Sequence, residues 1–228
     1  MPELEKIVEY RGCSSLVMAE IVCDDNETGE GHGYVTGDVI PVAGLAEVSK
    51  SVAVSRVSKY YDNYAAMVIT GEGEDTVTFT ASVPTPKVQA AINGRVWDED
   101  LNMYIECPIV NKYYAVGYKI KETDGTEFFI WRHKGYWIAP EVTSATEDDG
   151  TDGNNMSLEF HGVYTKHEFA NGGGTGVKKA IKSYFMPDDG KFDLSDFFAT
   201  VTSPDTVFTA PVTPTPVVTP SETQTPTT

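Results

Sequence analysis

The chain of 228 residues contains 40% hydrophobic residues, enough for the core of one domain with appended segments. Its formal net charge is -17, and no cluster of lysine and arginine forms the basic surface that tight nucleic-acid binding needs. Because no stretch approaches the ~18 apolar residues of a membrane span and the first residues do not look like a secretion signal, we expect a protein made in the cytoplasm.

Alternating hydrophobic and polar residues predict β-strands through much of the chain. The clearest alternation is at 76–83, where Val77, Phe79, Ala81 and Val83 are expected to face a core while threonine and serine face away. The predicted strands are 16–23, 34–42, 76–83, 104–109, 114–121, 127–133 and 156–165.

One short helix is predicted between the strands at 76–83 and 104–109. Thr85 and Pro86 supply an N-cap and a first-turn proline, and Asn93 with Gly94 supplies the stop.

The stretch 113–137 is rich in aromatic residues and turns at Asp124-Gly125, a dipeptide that favours a two-residue hairpin. This ribbon is apolar on both faces, whereas a small domain usually covers only one face of an antiparallel ribbon. We therefore expect a second sheet, a helix or another subunit to cover its second face. The residues expected in the core or in an inter-subunit sheet are Tyr118, Phe129, Trp131 and Trp137.

The C-terminal third carries weaker signals. Tyr164 is expected to face inward, 177–185 to form a second short helix, and 193–198 to form a capped turn or a final strand. Residues 1–202 are predicted to form one domain. Residues 203–228, rich in threonine and proline, are predicted to form an extended, mobile tail.

Acidic residues are concentrated in short loops without bases, and the simplest interpretation is solubility. The loop beginning at Asp24 partly matches an EF-hand calcium loop but has Val35 where a bidentate glutamate is needed. The loop beginning at Asp148 fails at Gly150. The three cysteines have no paired spacing, which fits a reducing compartment. We expect no metal site and mobile, solvated loops.

Catalytic motifs are also absent from the sequence. His161 and His167 do not have a metal-binding spacing, and the glycine-rich run at 172–176 lacks the lysine of a P-loop and reads as a flexible connection. We expect neither an enzyme nor a cofactor.

Several short motifs follow one another in order between residues 7 and 169. They are Gly37-Asp38 within 34–42, the run Tyr60-Tyr61-Asp62-Asn63, the TVTFTASV strand, the helix ending at Gly94, an acidic link, Ala115-Val116-Gly117-Tyr118-Lys119, the Asp124-Gly125 turn, Trp131 with Lys134-Gly135, and Pro140-Glu141. This order resembles the major tail proteins, or tail tube proteins, of bacteriophages with long non-contractile tails.

The resemblance implies a mainly β fold, an antiparallel β-sandwich or partly rolled barrel with one or two short flanking helices. It also implies a structural virion protein that assembles into stacked hexameric rings. DNA would pass through the resulting tube without specific binding, and an acidic wall would repel its phosphates. The implied partners are other copies of the chain, the tape measure, the tail terminator and the distal tail protein.

In that family, long loops connect successive rings. By analogy, 49–67 is the expected inter-ring arm, with Tyr60, Tyr61, Asp62 and Asn63 as contact residues, and an ordinary core hairpin is the alternative.

Two other functions remain open from sequence. A secreted or surface β-sandwich that binds carbohydrate or mediates adhesion would use the threonine- and proline-rich segment as a linker, and sequons at Asn26 and Asn155 are compatible with it. A metal-dependent hydrolase built on Asp148 or Asp152 is ranked last.

Overall fold

The computed structural model describes residues 7–61, 64–142, 155–171 and 178–207. Within these ranges the chain is mainly β, with one α-helix and antiparallel strand pairing, as the sequence predicted. No helix in the described part has the length and apolar character needed to cross a membrane. The elements are β1 (Tyr10–Asp24), β2 (Tyr34–Thr36), β3 (Ile40–Ala43), β4 (Leu45–Tyr61), β5 (Tyr64–Ala81), α1 (Pro86–Ile92), β6 (Val96–Asp98), β7 (Met103–Ile105), β8 (Tyr114–Glu122), β9 (Glu127–Ile138), β10 (Met156–Gly162) and β11 (Ser183–Pro187).

Most strands belong to one large sheet that is not a closed barrel. The strands follow the order β2, β1, β8, β9, β10, β5 and β4, while β3 pairs with β1 and β11 pairs with β9. Gly44 alone joins β3 to β4, although their partners β1 and β5 are far apart along the sheet. This short link requires the sheet to curl, which gives the sandwich-like form.

The main core lies on one face of the curled sheet. Alternating residues of β5, β8 and β10 supply much of it, and α1 packs over it. Val83 and Tyr164 were predicted to face inward, and both predictions are wrong. β5 ends at Ala81 and β10 ends at Gly162, so both side chains lie beyond their strands and are exposed. The core residues are Leu16, Met18, Val42, Val77, Phe79, Ala81, Val88, Ile92, Tyr114, Val116, Tyr118, Ile130, Trp137, Met156, Leu158 and Phe160.

The predicted short helix is confirmed as α1. Pro86 lies in its first turn, and the chain leaves it through Asn93 and Gly94. Gly94 has φ +62°, and a Cβ there would lie 2.7 Å from the carbonyl oxygen of Val110. Glycine is therefore required both for the turn and for the close approach of the following segment.

A second helix was predicted at 177–185, and this prediction is wrong for the described residues, 178–185. Residues Ser183–Pro187 form β11, which pairs with the first half of β9. Met186 is buried while Phe185 on the opposite face is exposed, an alternation typical of a strand. The open edge of β9 offers backbone hydrogen bonds that a short isolated helix could not match.

The second face of the β8–β9 ribbon is covered by the C-terminal segment of the same chain, not by a second sheet, a helix or a subunit. β11 and consecutive turns at 195–201 form this cover, and Asp193 caps the first turn by accepting hydrogen bonds from Ser195 N at 3.0 Å and Ser195 Oγ at 2.7 Å. The residues that form this second cluster are Ala19, Ala115, Phe129, Trp131, Met186, Phe197 and Val201.

The packing continues into the segment predicted to be a tail. Ser203 is buried, and Val207 contacts the second cluster. Residues 208–228, the remainder of the predicted tail, lie outside the described residues.

Candidate assembly site

The aromatic residues singled out from the sequence are all buried within the single chain. Tyr118 packs edge-on against Phe79 with ring centres 5.2 Å apart, and Trp137 packs between Phe79 and Phe160. On the opposite face, Trp131 Nε1 donates a hydrogen bond to the carbonyl oxygen of Phe197 at 3.1 Å.

Phe129 on that same face contacts Phe197 and Phe198, with ring centres 5.2 and 5.8 Å apart. Both sides of the ribbon are thus part of the chain's own core. The aromatic surplus does not by itself require a partner.

A different pair of strands leaves the body of the protein. β10 pairs with β5 only from Asp75 to Ala81, whereas β4 and β5 remain paired with each other as far as Tyr61 and Tyr64. We call 52–61 of β4 together with 64–74 of β5 the arm. At ~3.3 Å per residue, the arm extends roughly 30 Å beyond its last contact with β10.

The arm has open edges and exposed side chains. Segments 52–61 and 64–74 pair with each other, and no other described strand pairs with either segment. Every described side chain between residues 51 and 68 is exposed, which disfavours the ordinary core hairpin weighed as the alternative for this segment.

Both faces of the arm carry apolar groups. Lys59 pairs with Met67 in the register, so Val57 and Met67 share one face. Ser58 pairs with Val68, so Val68 is on the other face. A long strand pair with open edges and apolar side chains on both faces is a template for contact with another chain.

Two of the residues predicted to contact the next ring, Tyr60 and Tyr61, lie at the tip of the arm. Tyr61 pairs with Tyr64 at the end of the ladder, and Tyr60 follows a register shift after Lys59. Asp62 and Asn63 lie outside the described residues, in the connection between the two strands.

A buried ion pair fixes the point where the arm leaves the body. Arg132 Nη1 lies 2.5 Å from Asp75 Oδ2, and the same guanidinium donates to Ser183 Oγ at 2.9 Å and to the Tyr118 hydroxyl at 3.2 Å. Lys50 Nζ lies 3.4 Å from the same carboxylate oxygen. Among the residues of β5 that pair with β10, Asp75 is the one nearest the arm, so this network connects the base of the arm to β9 and β11.

A cleft of about 400 Å³ provides a second apolar surface. It lies between α1, the segment 109–114 and the end of β9. Ile109, Val110 and Tyr113 are exposed along its rim. No sequence pattern indicated this cleft, because its walls come from three separated segments.

Asp24, the first residue of the acidic stretch at the end of β1, was expected to be solvated, and this expectation is wrong. Asp24 is buried beside Lys134, whose Nζ lies 2.6 Å from Oδ2, and it accepts hydrogen bonds from the backbone amides of Lys166 and His167. Burial alone would raise the pKa of Asp24, but these hydrogen bonds and the Lys134 charge together lower it. Asp24 therefore anchors this loop to the segment after β10.

The other loops considered from sequence give less information. The loop from Asp148 to Asp152 and the glycine-rich run at 172–176 lie outside the described residues. His161 lies 2.9 Å from Glu159, whereas His167 Nδ1 lies 2.8 Å from the carbonyl oxygen of Asp25, so the structure does not bring these two histidines into one site.

No protein-family model matches the sequence, and no curated protein matches it. The observations that bear on function are therefore those of the chain itself.

Proposed function

We propose that this protein is a structural subunit that assembles with copies of itself into stacked rings, the tail tube of a bacteriophage with a long non-contractile tail. The observation that carries the proposal is the arm, which extends roughly 30 Å from the body and carries exposed apolar side chains and unpaired strand edges along its length. Six copies per ring, and the roles of the tape measure, tail terminator and distal tail protein as partners, follow from the sequence resemblance.

Assembly between copies offers the arm the burial that it lacks in the single chain. Contact with a neighbouring copy in a closed, head-to-tail ring pairs strand edges without leading to uncontrolled aggregation. Stacking of rings would bury the tip, where Tyr60 and Tyr61 lie. The tip of the arm is thus the inter-ring contact in this proposal.

A head-to-tail contact joins two different surfaces of the same molecule. The cleft rimmed by Ile109, Val110 and Tyr113 is the candidate surface that receives the arm of another copy, because it combines concave form with exposed apolar groups.

The net charge of -17 agrees with a conduit role, since an acidic wall does not retain a passing polyanion. The proposed location is the virion, after synthesis in the host cytoplasm. The proposed role involves neither catalysis nor a cofactor.

Two matched valine substitutions test the arm. Val68 on the arm is 56% exposed and Val83, off the arm, is 58% exposed, so aspartate at either position costs the folded monomer little. We expect Val68→Asp to prevent rings and tubes in negative-stain images while the protein stays folded. Val83→Asp is expected to assemble as the unmodified chain does.

Assembly of Val68→Asp at the unmodified yield would contradict a role for the arm. A protein that stays strictly monomeric at high concentration, even with tail initiators, would contradict the tail tube function itself. Saturable glycan binding by that monomer would favour the surface binding module instead.

A further inference from the structure

The loop between β1 and β2 brings together three side chains that commonly bind metal ions. Cys23 Sγ lies 3.1 Å from Asp25 Oδ2, and His32 Nδ1 lies 3.1 Å from that same oxygen. The three donor atoms all lie within 4.8 Å of one another. A thiol, a carboxylate and an imidazole thus converge around one point.

The surrounding backbone holds the carboxylate of Asp25 in place. Its other oxygen, Oδ1, accepts hydrogen bonds from Gly33 N at 2.7 Å and Glu27 N at 3.0 Å. Oδ2 therefore points toward Cys23 and His32. The pKa of Asp25 is lowered, first by the Gly33 hydrogen bond and then by those from His32 and Cys23, so the group is ionised at neutral pH.

Hydrogen bonds to the segment after β10 also hold the loop between β1 and β2 in place. Asn26 exchanges hydrogen bonds with the segment after β10, donating to the carbonyl oxygen of Lys166 at 3.0 Å and accepting from Glu168 N at 2.8 Å. His167 Nδ1 lies 2.8 Å from the carbonyl oxygen of Asp25. The start of the loop, which carries Asp25, is therefore anchored to a second segment of the chain.

The separations agree with tetrahedral zinc coordination. With Zn–S ~2.3 Å and Zn–N or Zn–O ~2.0–2.1 Å, neighbouring donor atoms lie ~3.3–3.6 Å apart. Both distances to Asp25 Oδ2 are within a few tenths of an ångström of that range. A thiolate and an imidazole favour Zn²⁺ over Ca²⁺ or Mg²⁺, which prefer oxygen donors.

We propose that Cys23, Asp25 and His32 bind one Zn²⁺ ion, which ties the loop between β1 and β2 to the end of β1. Glu27, whose Oε2 lies 3.4 Å from His32 Nδ1, or a water molecule fills the fourth position. The site is independent of assembly into a tube. Its spacing follows none of the common zinc motifs, and for this reason the sequence analysis predicted no metal site here.

Binding replaces the hydrogen bond that the Cys23 thiol donates to Asp25. That hydrogen bond is the main cause of the raised pKa of Cys23, and an incoming cation reverses the effect because the ligand is the thiolate. One proton leaves Cys23 as the Zn–S bond forms.

Cobalt titration of the metal-free full-length protein tests the site, because Co²⁺ bound to a thiolate gives a charge-transfer absorption band. We expect one equivalent of Co²⁺ to produce this band and Zn²⁺ to displace it. Cys23→Ser removes the band, and His32→Ala weakens binding at least tenfold. Zn²⁺ raises the melting temperature of the unmodified protein but not that of Cys23→Ser.

Cys107→Ser is the matched control, since Cys107 is also a partly buried free cysteine but lies outside the cluster. It is expected to bind Co²⁺ as the unmodified protein does. His32 is exposed, so His32→Ala is expected to fold even if Cys23→Ser does not. The proposal would be overturned if no thiolate band appears or if Cys23→Ser retains the band. It would also be overturned if folded His32→Ala binds Co²⁺ with unchanged affinity.

Discussion

His133 lies in an unusual environment for a histidine. Its side chain is fully buried among the rings of Tyr34, Phe169 and Tyr184, and neither ring nitrogen has a hydrogen-bond partner in the described structure. Burial lowers its pKa to about 3, because the charged form would lose its hydration. The ring is therefore neutral at physiological pH.

This burial makes stability depend on pH. The unfolded chain binds a proton at this histidine below about pH 6.5, while the folded chain does so only near pH 3, so stability falls as pH decreases between these values. Between neutral pH and about pH 4, protonation of His133 in the unfolded chain is expected to lower the unfolding free energy of the unmodified protein by an amount on the order of 3 kcal/mol. We expect His133→Phe not to show this decrease. Urea denaturation of both proteins across this range measures the difference, and parallel pH profiles would contradict the assignment.

The pair of Arg132 and Asp75 gives a second residue-scale test. Removing one partner leaves a buried charge without compensation, so Asp75→Ala is expected to cost about 3–5 kcal/mol of unfolding free energy. Replacing both residues, as in Asp75→Leu with Arg132→Met, is expected to recover much of that loss. A loss below ~1 kcal/mol for Asp75→Ala in urea denaturation would contradict the role of the pair.

At the scale of elements, alternation predicted the buried face of β5 correctly within the observed bounds of that strand. Val77, Phe79 and Ala81 are all in the core as predicted, and the hairpin at Asp124-Gly125 pairs β8 with β9. The same reasoning was wrong for Ser183–Pro187, because its strand form depends on an edge of β9 that is distant in sequence. The cover of the ribbon was also missed, since its phenylalanines lie in turns without a periodic pattern.

Two phenylalanines of the C-terminal segment test this cover. Phe197 is buried against Phe129, whereas Phe185 on β11 is exposed on the opposite face. We expect Phe197→Ala to lower the unfolding free energy by about 3 kcal/mol or more, because truncation leaves a cavity. Phe185→Ala loses only partly exposed contacts with Lys50 and Arg132, and is expected to cost about 1 kcal/mol or less.

Equal melting temperatures for the two alanine variants would indicate that the turns at 195–201 do not stabilise the ribbon. The proposed zinc site was likewise not predicted from the sequence. Cys23, Asp25 and His32 become neighbours only because the loop reverses before His32, with φ +141° at Gly29 and +81° at Gly31.

At the scale of the whole molecule, the arm rather than the aromatic ribbon at 113–137 is the reason to propose assembly. The sequence directed attention to the aromatic stretch at 113–137, which the chain covers by itself. The arm instead presents open edges. Its first strand, 52–61, lies inside the segment 49–67 that the resemblance indicated, and its second strand, 64–74, extends past the end of that segment. The resemblance could suggest this location, but only the structure describes its exposure.

Electron cryo-microscopy of the purified, assembled protein tests the central proposal most directly. We expect rings stacked into a tube, with the arm of each copy packed against a neighbouring copy and Tyr60 and Tyr61 at the junction between rings. A protein that remains monomeric under all assembly conditions, or rings in which the arm stays in solvent, would contradict it.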